Sequence, residues 1–218
     1  MRFKCLVLDH DDTVVQTEKT MGYPYFRDHI HRIRPGKTLT YEEYVADCNN
    51  MIFADMCRQK WNFTDEELLE EYTGWKAYSR VNIPALCEGM DAVIQKHKAQ
   101  GGILCVSSLS TKEIIERDFM HYIGFLPDAI YDNDLPSHLR KPNTYALDRI
   151  MEEFQLSPSD ILMVDDMKPG WQMAHNAGVA SGFAGWSKWD FPELTREMQN
   201  LCDYSFSSPK DLEEFLFG

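Results

Sequence analysis

The chain has 218 residues, with 22 Lys+Arg against 35 Asp+Glu and a formal net charge of −13. That balance excludes a nucleic-acid backbone or an anionic membrane as the main partner, because each would repel the chain as a whole. Hydrophobic residues at 44% and aromatics at 12% exclude a disordered chain, and the length suits one large domain or one domain with a smaller insert.

The first predicted element is the apolar run Phe3–Leu8, which ends on Asp9. Its hydrophobicity is continuous rather than alternating, as expected of a strand buried on both faces of a parallel sheet. Asp9, Asp11 and Asp12 argue against a signal peptide here. From about Glu18 to Pro84 there is no convincing strand. Thr40 with Glu43, and Thr64 with Glu67, read as capping boxes at two helix starts. Leu68, Tyr72 and Trp75 follow the i, i+4, i+7 spacing of one apolar helix face. The run from Asp28 to Lys37 is the most basic of this acidic chain. It reads either as a solvated helix end, where cations suit the dipole, or as a surface meeting an anionic substrate.

The strand pattern then resumes. Ile103–Val106 runs into Ser107, and Ser110 with Glu113 reads as a capping box opening a helix toward His121. Ala129–Tyr131 is a weaker strand, and Asn143 can cap a helix to about Phe154. Ile161–Val164 runs into Asp165, and Val179–Phe183 follows. The segment Ala184–Trp189 after it either lines a substrate pocket or packs its tryptophans on the core. Ser208 with Pro209 opens a last helix to Leu216. Alternating strands and helices imply an α/β fold with a doubly wound, parallel, Rossmann-like sheet. The core is expected over 1–17 and 85–218, with an all-helical domain inserted over 18–84.

The longest apolar runs are about four residues, far from the roughly 18 needed to span a bilayer. Cys5, Cys48, Cys57, Cys87, Cys105 and Cys202 form no CxxC pair. They read as reduced thiols of a cytoplasmic protein rather than a zinc site.

In an open α/β sheet, ligands bind at the carboxyl ends of the strands. Residues expected to converge there are Asp9, Asp11, Asp12 and Thr13, then Ser107, then Asp165 and Asp166, with Lys141 just before a helix. Several carboxylates in one crevice repel one another unless a cation joins them. With oxygen donors and no His or Cys cluster, the fitting cation is Mg²⁺. A carboxylate beside a metal-bound phosphate can attack phosphorus, and a second one two residues on can act as acid and then base. Ser107, the amides at the helix start near Ser110 and Lys141 can bind phosphoryl oxygens.

The sequence Leu8-Asp9-His10-Asp11-Asp12-Thr13-Val14 resembles the first motif of the haloacid dehalogenase superfamily. Ser107, Lys141 and Asp165-Asp166 match its second, third and fourth motifs in order, and the helical insert resembles the cap of its first subclass. The resemblance implies a Mg²⁺-dependent phosphohydrolase acting on a small phosphorylated metabolite. It implies that Asp9 is nucleophile and metal ligand, and that Asp11 is general acid/base and binds the metal through its carbonyl. It further implies that Ser107, Ser108 and Lys141 hold the phosphoryl group, and that Asp166 is a metal ligand with Asp165 in support. Two departures stand out. Asp12 replaces the usual Gly of the first motif, in a turn whose left-handed backbone Asp tolerates. In the fourth motif Asp165 takes the Gly place and Gly170 the place of a later Asp. Because successive strand side chains point in opposite directions, Asp165 and Asp166 do not easily reach one ion from a regular strand, although a turn there relaxes this.

Other functions stay open at this stage. A phosphomutase acting on a sugar phosphate shares all four motifs and differs in the cap. A non-catalytic phosphate-binding member of the fold is disfavoured by the presence of both Asp9 and Asp11. A receiver module carries its acid pair before the accepting Asp, whereas here the pair comes last. Substrate identity and oligomeric state are not legible.

Overall fold

The computed structural model describes residues 1–188 and 190–218; Trp189, the end of the Ala184–Trp189 segment, lies outside the described residues. The chain divides into two compact units, one formed by Met1–Gln16 with Leu86–Gly218 and the other by Thr17–Ala85. The first unit holds a six-stranded sheet. Its strands are β1 (Cys5–Leu8), β2 (Ile103–Ser107), β3 (Ala129–Tyr131), β4 (Ile161–Asp165), β5 (Ala180–Ala184) and β6 (Tyr204–Phe206). The order is β3-β2-β1-β4-β5-β6, and every neighbouring pair is parallel. Strand order reverses at β1, so the topological switch point lies between β1 and β4.

The continuous apolar runs follow from burial on both faces. Leu6 and Leu8 of β1 join Leu104, Val106, Leu162 and Val164 on one side of the sheet. Cys5 and Val7 join Cys105, Ile161 and Met163 on the other. All four β1 residues are fully buried, each apolar side chain contributing on the order of 1.5–3 kcal/mol.

The Thr17–Ala85 unit is helical. After a π-helical turn at Glu18–Gly22 come α1 (Tyr23–Ile33), α2 (Tyr41–Asn50), α3 (Phe53–Trp61) and α4 (Asp65–Val81). Both expected capping boxes form, Thr40 with Glu43 and Thr64 with Glu67. Phe26 packs against Tyr44, Phe53, Trp61 and Phe63 as an aromatic core. The spacing of Leu68, Tyr72 and Trp75 marks a face that is only half-buried. The buried positions of α4 are Glu71 and Ser79. The arginines of the basic run are engaged within this unit. Arg34 forks onto Glu67 at 2.6 and 2.7 Å, and Arg32 meets Glu70 at 2.8 Å.

Among the described residues six α-helices flank the sheet: α5 (Met90–Ala99), α6 (Lys112–Tyr122), α7 (Tyr145–Phe154), α8 (Lys168–Ala177), α9 (Pro192–Leu201) and α10 (Pro209–Phe217). Val93, Ile94, Ile115, Phe119, Leu212 and Leu216 bring α5, α6 and α10 to one face. Leu147, Ile150, Met173 and Ala174 bring α7 and α8 to the other.

Two helix starts differ from expectation. Helix α6 begins one residue later, with Thr111 as N-cap and no side-chain cap bond. The first amide, Lys112 N–H, instead donates to Asp132 Oδ2 at 2.7 Å, so an acid at the end of a neighbouring strand replaces the local capping box. Helix α7 has Thr144 as N-cap, while Asn143 Oδ1 accepts from Tyr145 N–H at 2.9 Å. The Ser208 cap with Pro209 at the first position of α10 forms as expected. Among the described residues no helix is long and apolar enough to cross a membrane.

Candidate active site at the sheet switch point

Parallel pairing in register brings the strand ends to one level. Leu8 lies opposite Val106 on one side and Val164 on the other, so Asp9, Ser107 and Asp165 emerge side by side. Asp9 is buried, and its N–H donates to the Val164 carbonyl at 2.9 Å. Lys141, 132 positions further on, places Nζ 2.7 Å from Asp9 Oδ1 and 2.7 Å from Asp165 Oδ2. The other Asp165 oxygen accepts from Met167 N–H, just before α8, at 2.8 Å.

Carboxylate oxygens of Asp9, Asp165 and Asp166 all lie within 4.8 Å of one another. The alternation expected to separate Asp165 from Asp166 therefore does not hold. The strand ends at Asp165 and Asp166 lies in a bend, which frees its side chain from the strand's pleat. Gly170 of α8 has a clear reason to be Gly: a Cβ there would collide with the Asp165 carboxylate.

Ser107 is buried, with Oγ 3.9 Å from Met173 Sδ. Ser108 is also buried, but its Oγ accepts from Ser110 N–H at 3.1 Å and so serves the turn that follows β2. Asp11 stands outside the three-carboxylate group, with its side chain 24% exposed and Oδ1 3.4 Å from His10 Nδ1. Asp12 takes the left-handed conformation anticipated for its turn, at φ 55°.

Four contributors were not found by sequence reasoning. Lys188 is fully buried and bridges Asp12 Oδ2 at 2.6 Å and Asp166 Oδ2 at 2.7 Å. His10, also fully buried, lies between Asp11 and Asp118, whose Oδ2 is 3.3 Å from its Nε2. Arg117 backs Asp118 at 2.7 Å. Asp118 carried a usable signal, because it sits among Ile114, Ile115 and Phe119 on the buried face of α6. Lys188 carried little, since one lysine between two tryptophans reads as surface.

Burial dominates the electrostatics. It pushes the Asp9 carboxyl up to about 7, with Asp165 and Asp11 adding to the rise and Lys141 opposing it. Burial likewise raises Asp166 well above the carboxylate range, against the pull of Lys188. For Lys141 and Lys188 burial favours the neutral amine, but their paired carboxylates outweigh it and hold both ammoniums charged. The same contest leaves His10 at about 9, with Asp11 and Asp118 overcoming burial.

Four buried carboxylates, Asp9, Asp12, Asp165 and Asp166, thus face two buried ammoniums, a formal balance of −2. That formal count, reached when Asp9 and Asp166 are ionised, together with hard oxygen donors, fits a divalent cation such as Mg²⁺ or Mn²⁺, whose charge would offset the burial that raises both carboxyls; the absence of a His or Cys donor from that group disfavours zinc.

Solved structures of similar fold include a predicted phosphoglycolate phosphatase from Haemophilus somnus, at 17% identity, 99% coverage of both chains and a TM-score of 0.75. CbbY from Rhodobacter sphaeroides, in complex with xylulose 1,5-bisphosphate, has 15% identity, 95% coverage of both chains and a TM-score of 0.71. A conserved haloacid dehalogenase-like protein from Agrobacterium tumefaciens has 14% identity and a TM-score of 0.80, covering 98% of this chain and 97% of its own. At such identities the likeness is one of fold. Among curated proteins no sequence matches. The family model for haloacid dehalogenase-like hydrolases spans residues 6–184, from within β1 to the end of β5, and takes in every residue of the acid cluster except Lys188. By that match, laid over the strand-end acids, the chain belongs to the haloacid dehalogenase-like hydrolase family.

Proposed function

We propose that the protein is a Mg²⁺-dependent phosphatase that hydrolyses a small phosphorylated metabolite through an aspartyl-phosphate on Asp9. The observation that carries this reading is the buried cluster in which Lys141 clamps Asp9 and Asp165 beside Asp166. The names of the similar structures, a phosphoglycolate phosphatase and a sugar-bisphosphate complex, support the substrate class.

Asp9 and Asp166 would hold the cation, with the Asp11 carbonyl and Asp165 in support. The ion's contribution is charge: it favours ionised Asp9 at neutral pH and neutralises phosphoryl oxygens. Asp9 Oδ then attacks phosphorus while the ester oxygen leaves, taking a proton from the Asp11 carboxyl. In the second half, the Asp11 carboxylate takes a proton from water. The resulting hydroxide attacks phosphorus, the Asp9–phosphorus bond breaks and inorganic phosphate is released. Lys141 and Ser107 stabilise the charge on the transferring group. The helical unit, expected over 18–84, would serve as a cap, a role that favours small substrates. The six free cysteines fit a reducing, cytoplasmic setting.

Phosphate release across a panel of phosphorylated metabolites, with Mg²⁺ or with EDTA, tests the reading. It requires release that is lost on chelation and restored by Mg²⁺. Full release after rigorous chelation refutes it, and isomer formation outpacing phosphate release makes the protein a mutase.

A further inference from the structure

Lys188 is an unusual residue for this site, because it is fully buried and lies beyond the stretch matched by the family model. Burying an ammonium costs several kcal/mol unless it is well paired. Here the pairing is close, with Asp12 at 2.6 Å and Asp166 at 2.7 Å. The backbone of Lys188 is pinned as well. Its N–H donates to the Gly185 carbonyl, and its own carbonyl accepts from Thr195 Oγ1 and Phe191 N–H. Asp12 is the counterpart of that oddity. At φ 55° its turn suits Gly, so the backbone alone does not call for an acid there.

Charge separates two explanations of the pair. Together Asp12 and Lys188 add zero net charge, so the cluster of Asp9, Asp165, Asp166 and Lys141 has the same balance of −2 with or without them. The pair therefore does not set the charge of the site. It places a fixed donor on one oxygen of Asp166. We infer that Lys188 is a positioning residue that holds the Asp166 carboxylate in its metal-binding orientation, and that Asp12 is the anchor that holds Lys188. The inference rests on the metal reading proposed above.

Orientation and electrostatics predict opposite signs when Lys188 is removed. Loss of a cation makes the site more negative and by itself tightens binding of a divalent ion; loss of orientation weakens it. Mn²⁺ titrated into the protein without substrate, followed by the disappearance of the free-ion electron paramagnetic resonance signal, reads the balance. Circular dichroism establishes that each variant is folded. For Lys188→Met the Mn²⁺ dissociation constant should rise at least about tenfold, the scale of loss when a group behind a metal ligand is removed, and for Asp12→Asn it should rise by less. Asp12→Asn should add little in the Lys188→Met background, because the anchor acts only through the lysine. Lys188→Met binding Mn²⁺ as tightly as the wild type, or more tightly, overturns the inference. Should Lys188→Met fail to fold, an unchanged constant for Asp12→Asn overturns it. Wild-type protein that takes up no Mn²⁺ overturns the metal reading and this inference with it.

Discussion

The two units use their acids in different ways. In the helical unit Glu43 and Glu67 reach back three residues to close capping boxes, and Glu67 also takes the fork of Arg34. In the α/β unit Asp9 and Asp12 meet lysines 132 and 176 positions away. The first kind of acid stabilises a local turn of chain and stays near water. The second kind is buried, and exists only once the sheet has brought distant strand ends together. Burial of charge at a fold's assembly point is costly, and it persists where chemistry needs it. The strongest way to sharpen this contrast is Asp9→Asn. The isosteric amide keeps the Lys141 contact geometry but cannot attack phosphorus. Phosphate release should fall at least about a thousandfold, on the order of 4 kcal/mol in the barrier, with an unchanged circular dichroism spectrum. Retention of a tenth of wild-type kcat would remove Asp9 from its role.

Glu71 is the exception in the helical unit, and it offers the next largest effect. It is buried, and burial alone pushes its carboxyl up to about 8, whereas the acids of the α/β cluster are met by ammoniums. It is therefore neutral in the folded protein at pH 7, while an unfolded Glu titrates near its ordinary value of 4.5. A folded pKa above the unfolded one means stability that is fully present below pH 4.5 and lost as pH rises through about 8. By neutral pH the loss attributable to Glu71 is on the order of 3 kcal/mol. Glu71→Gln cannot titrate, so the wild type should lose that much stability relative to the variant between pH 4.5 and 7. Urea unfolding of both proteins at the two pH values measures it. Parallel curves would show that Glu71 is solvated, and the contrast with the site acids would weaken.

What was legible in the sequence follows the same division. Capping boxes at Thr40 and Thr64 are short-range and formed as written. The strands were legible because burial on both faces leaves continuous apolar runs, and their polar ends at Asp9, Ser107 and Asp165 pointed to the crevice. The Ser110–Glu113 pattern failed because Asp132, twenty residues on, supplies the acceptor instead. The buried face of α4 was misjudged because its buried positions are an acid and a serine, Glu71 and Ser79, which an apolar periodicity does not register. Lys188 acts through Asp12 and Asp166, 176 and 22 positions away, and no local pattern encodes such pairing.

Within the cluster itself the contrast can be set between adjacent acids. Asp165 has both oxygens engaged, one by Lys141 and one by Met167 N–H. Asp166 has one oxygen on Lys188, which leaves the other for a cation. Asp166→Ala should raise the Mg²⁺ concentration for half-maximal activity about tenfold, equivalent to about 1.4 kcal/mol. Asp165→Ala should raise it less and should act mainly on kcat, through the lost alignment of Lys141. Titration of Mg²⁺ against activity for both variants decides between them, and a reversed order would exchange their roles.

The smallest effect compares two helix starts that look alike in sequence. Thr64 accepts from Glu67 N–H at 3.2 Å, and Glu67 accepts from Thr64 N–H at 3.0 Å, so each side chain satisfies an amide that the helix leaves open. Thr64→Ala removes one of those bonds and should cost about 1 kcal/mol. Ser110 precedes Glu113 by the same spacing, yet it is not the N-cap of α6, whose first amide is held by Asp132. Ser110→Ala should therefore change stability by less than about 0.5 kcal/mol, because no cap bond is lost. Urea midpoints of the two variants at one pH provide the comparison. A cost at Ser110 equal to that at Thr64 would mean that α6 is capped locally in solution. The difference drawn between a helical unit specified by its neighbours in sequence and an α/β unit specified by its topology would then not extend to helix starts.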